Sequence, residues 1–305
     1  MTHTVLKIGT RASRLALTQA QGVADSIAHL HPSIRVDLVH IQTTGDRVQD
    51  RPFEQVGARG MFVRELEEAL LRGEIDLAVH SLKDLPGELP LGLSLIPSPP
   101  REDPRDALVS HHCTLEQLPE GAVVGTSSTR RSAFLKAGRP DLRLVECRGN
   151  VDTRLRKLDE GQYDAIVLAA AGLHRMGLQN RIREYLPPEW MVPAPGQGAL
   201  GLEICDNNTS VKRLAGAFLT PDWAALLCER AFQHKMEAGC SVPVGCYAQN
   251  LNGVLSVTAR ISTPDGVRSA VVSSKGSSED PASLGFETAE RLWEEFRGLS
   301  ADTTL

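Results

Sequence analysis

Residues 5–30 read Val-Leu-Lys-Ile-Gly-Thr-Arg-Ala-Ser-Arg-Leu-Ala-Leu-Thr-Gln-Ala-Gln-Gly-Val-Ala-Asp-Ser-Ile-Ala-His-Leu, and this stretch decides the fold class. Val5 to Thr10 has the apolar character of a short strand. Ser13, a good helix N-cap residue, then opens a helical stretch through Leu30, with Leu15, Ala16, Ala20 and Val23 on one face. A strand that runs through a short polar turn into a helix is the repeating unit of an α/β domain. The chain repeats it. Arg35 to Ile41 reads as a second strand, Phe62, Leu66, Ala69 and Leu70 mark a helix ending at Gly73, and Asp76 to His80 is a short buried strand. Between them, residues 42–60 have no apolar period and are too long for an ordinary connector, which points to a mobile active-site loop.

After the break Pro97-Ser98-Pro99-Pro100 the alternation resumes. Val123 to Gly125 is read as a strand, Thr126 to Ala137 as loop and helix, Leu142 to Cys147 as a strand and Asn150 to Glu160 as a helix. Asp164 to Ala169 follows as a strand, with a helix beginning near Ala170. A second break, Pro187 to Gly196, precedes a strand from Ala199 to Ile204. Two linkers between two α/β units suggest a clamshell whose chain crosses over and returns, with a ligand held between lobes. The last third changes character: a helix from Pro221 to Met236, strands at 247–251, 254–261 and 267–273, and an amphipathic helix over 281–296. The expected division is a first lobe over 1–99 completed by 199–216, a second lobe over 100–198 with hinge segments at both ends, and a C-terminal α+β domain over 217–305.

The bulk properties exclude several classes of function. With 305 residues, 41% hydrophobic and 23% charged, the chain sits near the averages for globular proteins and is long enough for two or three domains. A net charge of −5 recruits neither nucleic acid nor an acidic membrane surface. No apolar run approaches the ~20 residues of a membrane span, and Met1-Thr2-His3-Thr4 lacks a signal segment, so a cytosolic protein is expected. The six cysteines (113, 147, 205, 228, 240 and 246) form no C-x-x-C pair and no zinc spacing, so no metal is expected. The 33 basic residues are 26 Arg and 7 Lys. A GC-rich genome would produce such a skew; so would a need for guanidinium forks, which grip carboxylates bidentately as Lys does not.

Four stretches place polar groups just after strands, where open α/β sheets bind ligands: residues 9–13, 80–86, 125–131 and 148–154. Three of them run into helix N-termini, whose free N–H groups and dipole favour an anion. Arg11, Arg130, Arg131, Arg148 and Arg154 add positive charge there. Neither nucleotide fingerprint is present, which favours polycarboxylates over phosphates. Asp84 is the odd anion in this cationic set. It is either a salt-bridge partner or a stabiliser of a cationic intermediate. Cys240, in Glu-Ala-Gly-Cys-Ser-Val-Pro-Val-Gly at 237–245, sits on a turn bounded by Gly and Pro, and taken alone is a reactive-thiol candidate.

Together these stretches closely resemble the porphobilinogen deaminase (hydroxymethylbilane synthase) family. The likeness is carried by T-R-A-S-R-L-A-L at 10–17, G-x-F-V-x-E-L at 60–66, A-V-H-S-L-K-D-L-P at 78–86 and R-E-D-P-R-D-A at 101–107. It continues in V-G-T-S-S-x-R-R at 124–131, R-G-N-V-x-T-R-L at 148–155 and G-C-S-V-P-V-G at 239–245. The resemblance implies an α/β fold: two clamshell lobes of periplasmic-binding-protein type plus the smaller C-terminal α+β domain. It implies an enzyme that condenses four porphobilinogen molecules head to tail and releases hydroxymethylbilane by hydrolysis. The primer would be a dipyrromethane cofactor bonded to Cys240 through a thioether. Asp84 would stabilise the charged pyrroles and the methylene-pyrrolenine cation left by departing ammonia. Ser13, Ser81, Lys83, Asp84, Thr126, Ser128, Arg130 and Arg131 match cofactor-binding positions. Arg11, Arg148, Arg154 and Arg175 match substrate-binding ones. A monomer is the family expectation. One departure is visible: Gln55 and Arg59 stand where many relatives have lysines, which puts in doubt a role for a lysine at 55 in closing the loop.

Two other classes compete. A clamshell solute-binding protein for a polycarboxylate would share the lobes and anion-binding helix ends, but needs neither Cys240 nor a covalent cofactor. A regulatory ligand-sensing domain would need a DNA-reading helix pair, and none is found in the sequence.

Overall fold

The order of strands in the first sheet explains why the polar turns gather at one edge. The computed structural model of the chain describes residues 4–43, 63–215, 218, 220, 222–237 and 242–301. Of the residues read from the sequence, Phe62, Cys240 and the expected loop beyond Thr43 lie outside that set. The chain separates into two compact units, one of residues 1–102 with 199–223 and one of residues 103–198 with 224–305.

In the first unit, β1 (Thr4–Thr10), β2 (Ile34–His40) and β3 (Leu77–Ser81) are parallel, with α1 (Arg14–Leu30) and α2 (Arg64–Leu71) between them in sequence. The sheet order is β2-β1-β3-β10-β4, with β4 at Leu93–Ile96 and β10 at Leu200–Cys205. β10 is antiparallel to both neighbours. The sheet is buried on two faces, as a mostly parallel sheet requires. Ile8, Leu77, Val79, Leu202 and Ile204 pack with Val23 and Ile27 of α1. Ala78 on the other face packs with Leu66 and Leu70 of α2.

The second unit repeats the plan. β5 (Asp106–Ser110), β6 (Val123–Gly125), β7 (Arg143–Val145), β8 (Ala165–Ala169) and β9 (Glu184–Tyr185) lie in the order β7-β6-β8-β5-β9. β6 is parallel to β7 and β8, and β5 is antiparallel to its neighbours. Both sheets therefore have three parallel strands, one antiparallel strand and an edge strand in equivalent positions. In β8, Ala165 and Val167 face one core while Ile166 and Leu168 face the other, which is why its sequence is apolar throughout. The helices are α3 (Thr129–Gly138), α4 (Val151–Asp159) and α5 (Ala170–Arg175).

A separate antiparallel sheet of β11 (Val244–Leu251), β12 (Val254–Ser262) and β13 (Ser269–Ser277) completes this unit. Leu255, Val257, Ala259 and Ile261 alternate inward along β12 and pack with α7 (Asp222–Glu237) and α8 (Pro281–Ala301). The first unit also contains α6 (Thr209–Ala215).

The α/β class, the two similar α/β units and the C-terminal α+β sheet agree with the sequence reading. Four elements were not read from it: β4, β5, β9 and α6. β4 and β9 are edge strands of four and two residues, too short to carry a period. β5 opens on a buried aspartate, which masks its apolar run. The strand expected at 267–273 begins at Ser269, because residues 263–268 close a tight turn in which Gly266 has φ 79° and Thr263 donates to the Arg268 carbonyl at 2.9 Å.

One buried side chain ties the C-terminal elements to the α/β sheet of the same unit. Glu229 of α7 is 0% exposed and accepts the N–H groups of Gly196 at 2.6 Å and Ala248 at 2.7 Å. Glu229→Ala leaves both donors buried without an acceptor. At ~1–3 kcal/mol for each of the two orphaned groups, stability is expected to fall by about 2–6 kcal/mol. A urea midpoint unchanged from the parent protein would show that the two N–H groups find other partners.

Candidate active site

In the first unit the carboxyl ends of β1 and β3 carry the residues singled out from the sequence. Arg11 and Ser13 follow β1. Ser13 is the N-cap of α1, and its hydroxyl accepts the Ala16 N–H at 3.3 Å. Ser81 ends β3, and its hydroxyl is held by the side-chain amide of Gln19 at 3.0 Å. A single 3-10 turn, Leu82–Asp84, then projects Lys83 and Asp84 from the strand end. The turn is anchored by the buried Leu82, whose N–H donates to the Ala199 carbonyl at 3.0 Å. Asp84 is exposed and makes no hydrogen bond or ion pair with another described residue. That distinguishes it from a salt-bridge carboxylate.

Beneath this turn lies a buried polar cluster that the sequence reading missed. His80 Nε2 is 3.0 Å from a carboxylate oxygen of Glu203 on β10, and both side chains are nearly inaccessible. Glu67 of α2 is 8% exposed. One oxygen each of Glu67 and Glu203 is buried without a hydrogen-bond partner. Burial, then the neighbouring Glu203 charge, pushes the Glu67 carboxyl up to about 7, with His80 opposing.

In the second unit, the parallel strands β6, β7 and β8 put their carboxyl ends on one edge. The antiparallel β5 starts at that edge, where Asp106 pairs with Ala169. Thr126 is buried, and its hydroxyl accepts the Ser128 N–H at 3.2 Å. Ser128 caps α3 by accepting the Arg131 N–H at 3.4 Å. Arg130 and Arg131 therefore sit in the first turn of a helix, each 5% exposed. Both reach Asp106, which is 0% exposed: Arg130 Nη2 lies 2.7 Å from Oδ2, and Arg131 Nη2 2.7 Å from Oδ1. Burial raises the Asp106 carboxyl, but the two guanidiniums and Gln197 outweigh it and bring it down to about 2.

The segment 192–198 closes the network. Val192 O accepts from Arg130 Nη1 at 2.7 Å, and Gln197 Nε2 donates to Asp106 Oδ1 at 2.9 Å. Gly198 O accepts from Arg175 Nη2 at 2.6 Å. Arg148 pairs with Glu146 at 2.6 Å, and Arg154 Nε donates to the Gly149 carbonyl at 2.7 Å. Gly149 is required there: its φ is 112°, and a Cβ would meet Thr153 Cγ2 at 2.7 Å. Of the expected residues, Arg130, Arg131, Thr126 and Ser128 are thus brought together around α3. Arg148 and Arg154 lie around the N-terminus of α4, and Arg175 ends α5. Asp106 and Gln197 were not singled out from the sequence. Asp106 stands in the quoted R-E-D-P-R-D-A run, and a lone acid opening the apolar Ala107-Leu108-Val109 is the signal that could have found it.

Burial raises the thiols of Cys147, Cys205 and Cys228, the last to about 12, which disfavours the nucleophilic thiolate at these positions. Cys246 is also buried.

Strand-end hydroxyls, arginines at helix N-termini and an exposed carboxylate are the features of an α/β protein suited to polyanionic organic molecules. Comparison with known proteins fixes which. Residues 6–213 match the family model "Porphobilinogen deaminase, dipyromethane cofactor binding domain", and residues 223–294 match "Porphobilinogen deaminase, C-terminal domain". The chain is similar to the porphobilinogen deaminase of Geobacter sulfurreducens, 49% identical over 94% of this chain and 91% of the relative. It is also similar to that of Trichlorobacter lovleyi, 47% identical over 94% and 92%. Among solved structures, the Bordetella pertussis BvgS periplasmic VFT2 domain aligns at 16% identity with a TM-score of 0.42, over 75% of this chain and 93% of that one. The chain belongs to the porphobilinogen deaminase family. Its reaction is the sequential deamination and condensation of porphobilinogen on a dipyrromethane cofactor to give hydroxymethylbilane, which sets aside the solute-binding alternative.

The Glu67 cluster gives a pH prediction. Its folded-state pKa is raised, so the stability tied to its neutral form is complete below the ordinary carboxylate range and is lost as pH rises through about 7. Glu67→Gln, which cannot ionise, is expected to gain on the parent protein between pH 5 and pH 8, by on the order of 2 kcal/mol. A stability difference that stays constant across that range would show that Glu67 does not titrate there.

Proposed function

We propose that Asp84 is the catalytic carboxylate, Cys240 the attachment point of the cofactor, and the strand-end cations the carboxylate-binding groups. The observation that carries this reading is the isolation of Asp84: it is exposed at a strand end and makes no bond with another described residue, while the arginines assigned to binding are held in place by other groups. A carboxylate fixed by its backbone and free at its oxygens is suited to accept pyrrole N–H bonds and to stabilise the cation left on the substrate as ammonia departs. A conformational turn with a buried anchor, Leu82, pre-sets its position.

The donor set suits a dipyrromethane, whose carboxylate side chains need several cations. Two buried guanidiniums share the single carboxylate of Asp106, which leaves positive charge at the N-terminus of α3 where an anion is favoured. Ser13, Ser81, Lys83, Asp84, Thr126, Ser128, Arg130 and Arg131 would hold the cofactor, and Arg11, Arg148, Arg154 and Arg175 the incoming substrate. When bound, the cofactor supplies the nucleophilic pyrrole end from which the product grows. Burial of Cys147, Cys228 and Cys246 supports Cys240 as the attachment residue. The domain reading that goes with this proposal is the one drawn from the sequence: lobes of 1–99 with 199–216 and of 100–198, and a C-terminal domain of 217–305 that includes Cys240.

Two outcomes test this. The intact mass of protein purified from cells is expected to exceed the chain mass by two deaminated porphobilinogen units, mapped to Cys240, and Cys240→Ser is expected to fold with neither the added mass nor turnover. Near-normal turnover by Cys240→Ser would sink the attachment. Asp84→Ala is expected to lower turnover by more than the ~10²–10³ typical of one lost electrostatic group. A loss within tenfold would make Asp84 structural.

A further inference from the structure

Arg130 and Arg131 cannot set their own geometry. Two guanidiniums buried side by side repel, and each is a long side chain whose ordering costs rotamer entropy. Asp106 fixes them: it bridges both, Arg131 through Nε at 2.9 Å and Nη2 at 2.7 Å, and Arg130 through Nη2 at 2.7 Å. Asp106 is itself held by Gln197, whose Nε2 also donates to the Pro104 carbonyl at 2.7 Å. Backbone carbonyls take the outer N–H groups, Val192 O from Arg130 and Val167 O from Arg131 at 3.0 Å. The orientation of both planar forks is thereby set by an acid that opens β5 and an amide that follows a proline turn.

The charge count is as telling as the geometry. Among the described residues, one carboxylate for two guanidiniums leaves a net positive charge in a place with 5% exposure, against the rule that buried charges are matched. Purely structural burial would favour a second acid or a neutral replacement for one arginine. An uncompensated charge at a helix N-terminus makes sense where a carboxylate from outside the chain completes the set.

We infer that Asp106 and Gln197 are positioning residues for the condensation: they hold Arg130 and Arg131 in the arrangement that receives a cofactor carboxylate. The inference rests on the reading of those arginines as cofactor-binding. Neither residue touches the reacting atoms. Their effect passes through the guanidiniums, chiefly that of Arg131, whose fork Asp106 grips twice and whose Nη2 also lies 3.5 Å from Gln197 Oε1.

The test uses five full-length proteins: the parent, Asp106→Asn, Gln197→Leu, Arg131→Gln and the Asp106→Asn/Arg131→Gln double variant. For each, intact mass gives the fraction of purified chain carrying the cofactor, kinetics of the loaded fraction give kcat and KM, and a thermal scan checks folding. Asp106→Asn and Gln197→Leu are each expected to lower the loaded fraction at least threefold, as Arg131→Gln does. The double variant is expected to load no worse than the poorer single, because the acid acts through the arginine. Parent-like loading and kinetics in Asp106→Asn or, where that variant does not fold, in Gln197→Leu would overturn the inference while leaving the cofactor assignment standing. Additive losses in the double variant would overturn it too, by showing that Asp106 acts independently of Arg131. Normal loading of Arg131→Gln would remove the arginine assignment beneath it. That result is distinguishable from the others, because it involves no change at Asp106 or Gln197.

Discussion

The buried carboxylate of Asp106 is the constraint on which the second unit is organised. Moving one ionised carboxylate and two guanidiniums out of water costs several kcal/mol for each ion, and only close opposite charge with full hydrogen bonding offsets that. The requirement explains why so many elements converge on one point. β5 supplies the acid, the first turn of α3 supplies both cations, and the 192–198 segment supplies a carbonyl and an amide. Holding the Asp106 carboxyl down at about 2 against its burial means that the guanidinium attraction exceeds desolvation, so the anion persists at any physiological pH. The same segment is gripped from the other side by Glu229, and Pro193 O accepts the Cys246 N–H at 2.9 Å. β11, which starts four residues after Cys240, is thus tied to the same segment whose Val192 carbonyl accepts from Arg130.

Topology explains why an acid from β5 is available there at all. In both sheets the fourth strand runs against the other three, so its first residue lies at their carboxyl ends: Leu200 beside Ser81 in one, Asp106 beside Ala169 in the other. An antiparallel strand inserted at this position delivers a chain entry, with its polar connecting residues, to the edge where parallel strands release their binding turns. Gly198, Gln197 and Asp106 all belong to such entries. The first sheet uses its entry to hold the Leu82 N–H on the Ala199 carbonyl, and so to fix the turn that bears Asp84.

The α/β alternation, the four strand-end turns and the change of character in the last third were legible because each rests on local signals. The apolar run of 165–169, the Ser13 and Ser128 caps and the alternation along 254–261 are patterns of a few residues. What escaped is non-local. Asp106 and Arg131 are 25 residues apart, and Gln197 is 91 from Asp106. Glu203 and His80 are 123 apart and meet only because β10 returns to pair with β3. The sequence showed five arginines at strand ends but not that two of them are held by a shared carboxylate. Short edge strands such as 184–185 exist by pairing rather than by propensity, and no window of sequence reveals them.

The contrast between Asp106 and Asp84 then follows from position. Both are aspartates at the carboxyl edge of an α/β sheet among basic residues, yet only Asp84 stood out from the sequence. Asp106 opens a strand, so its side chain points into the sheet's interior, where only ion pairing makes burial tolerable. Asp84 ends a 3-10 turn that leaves the strand, so it remains exposed, with its oxygens uncommitted to any described group. The first acid is enclosed and orders two cations; the second stands exposed, without a partner among the described residues. The fold separates them by placing one at the beginning of a strand and the other just beyond the end of one.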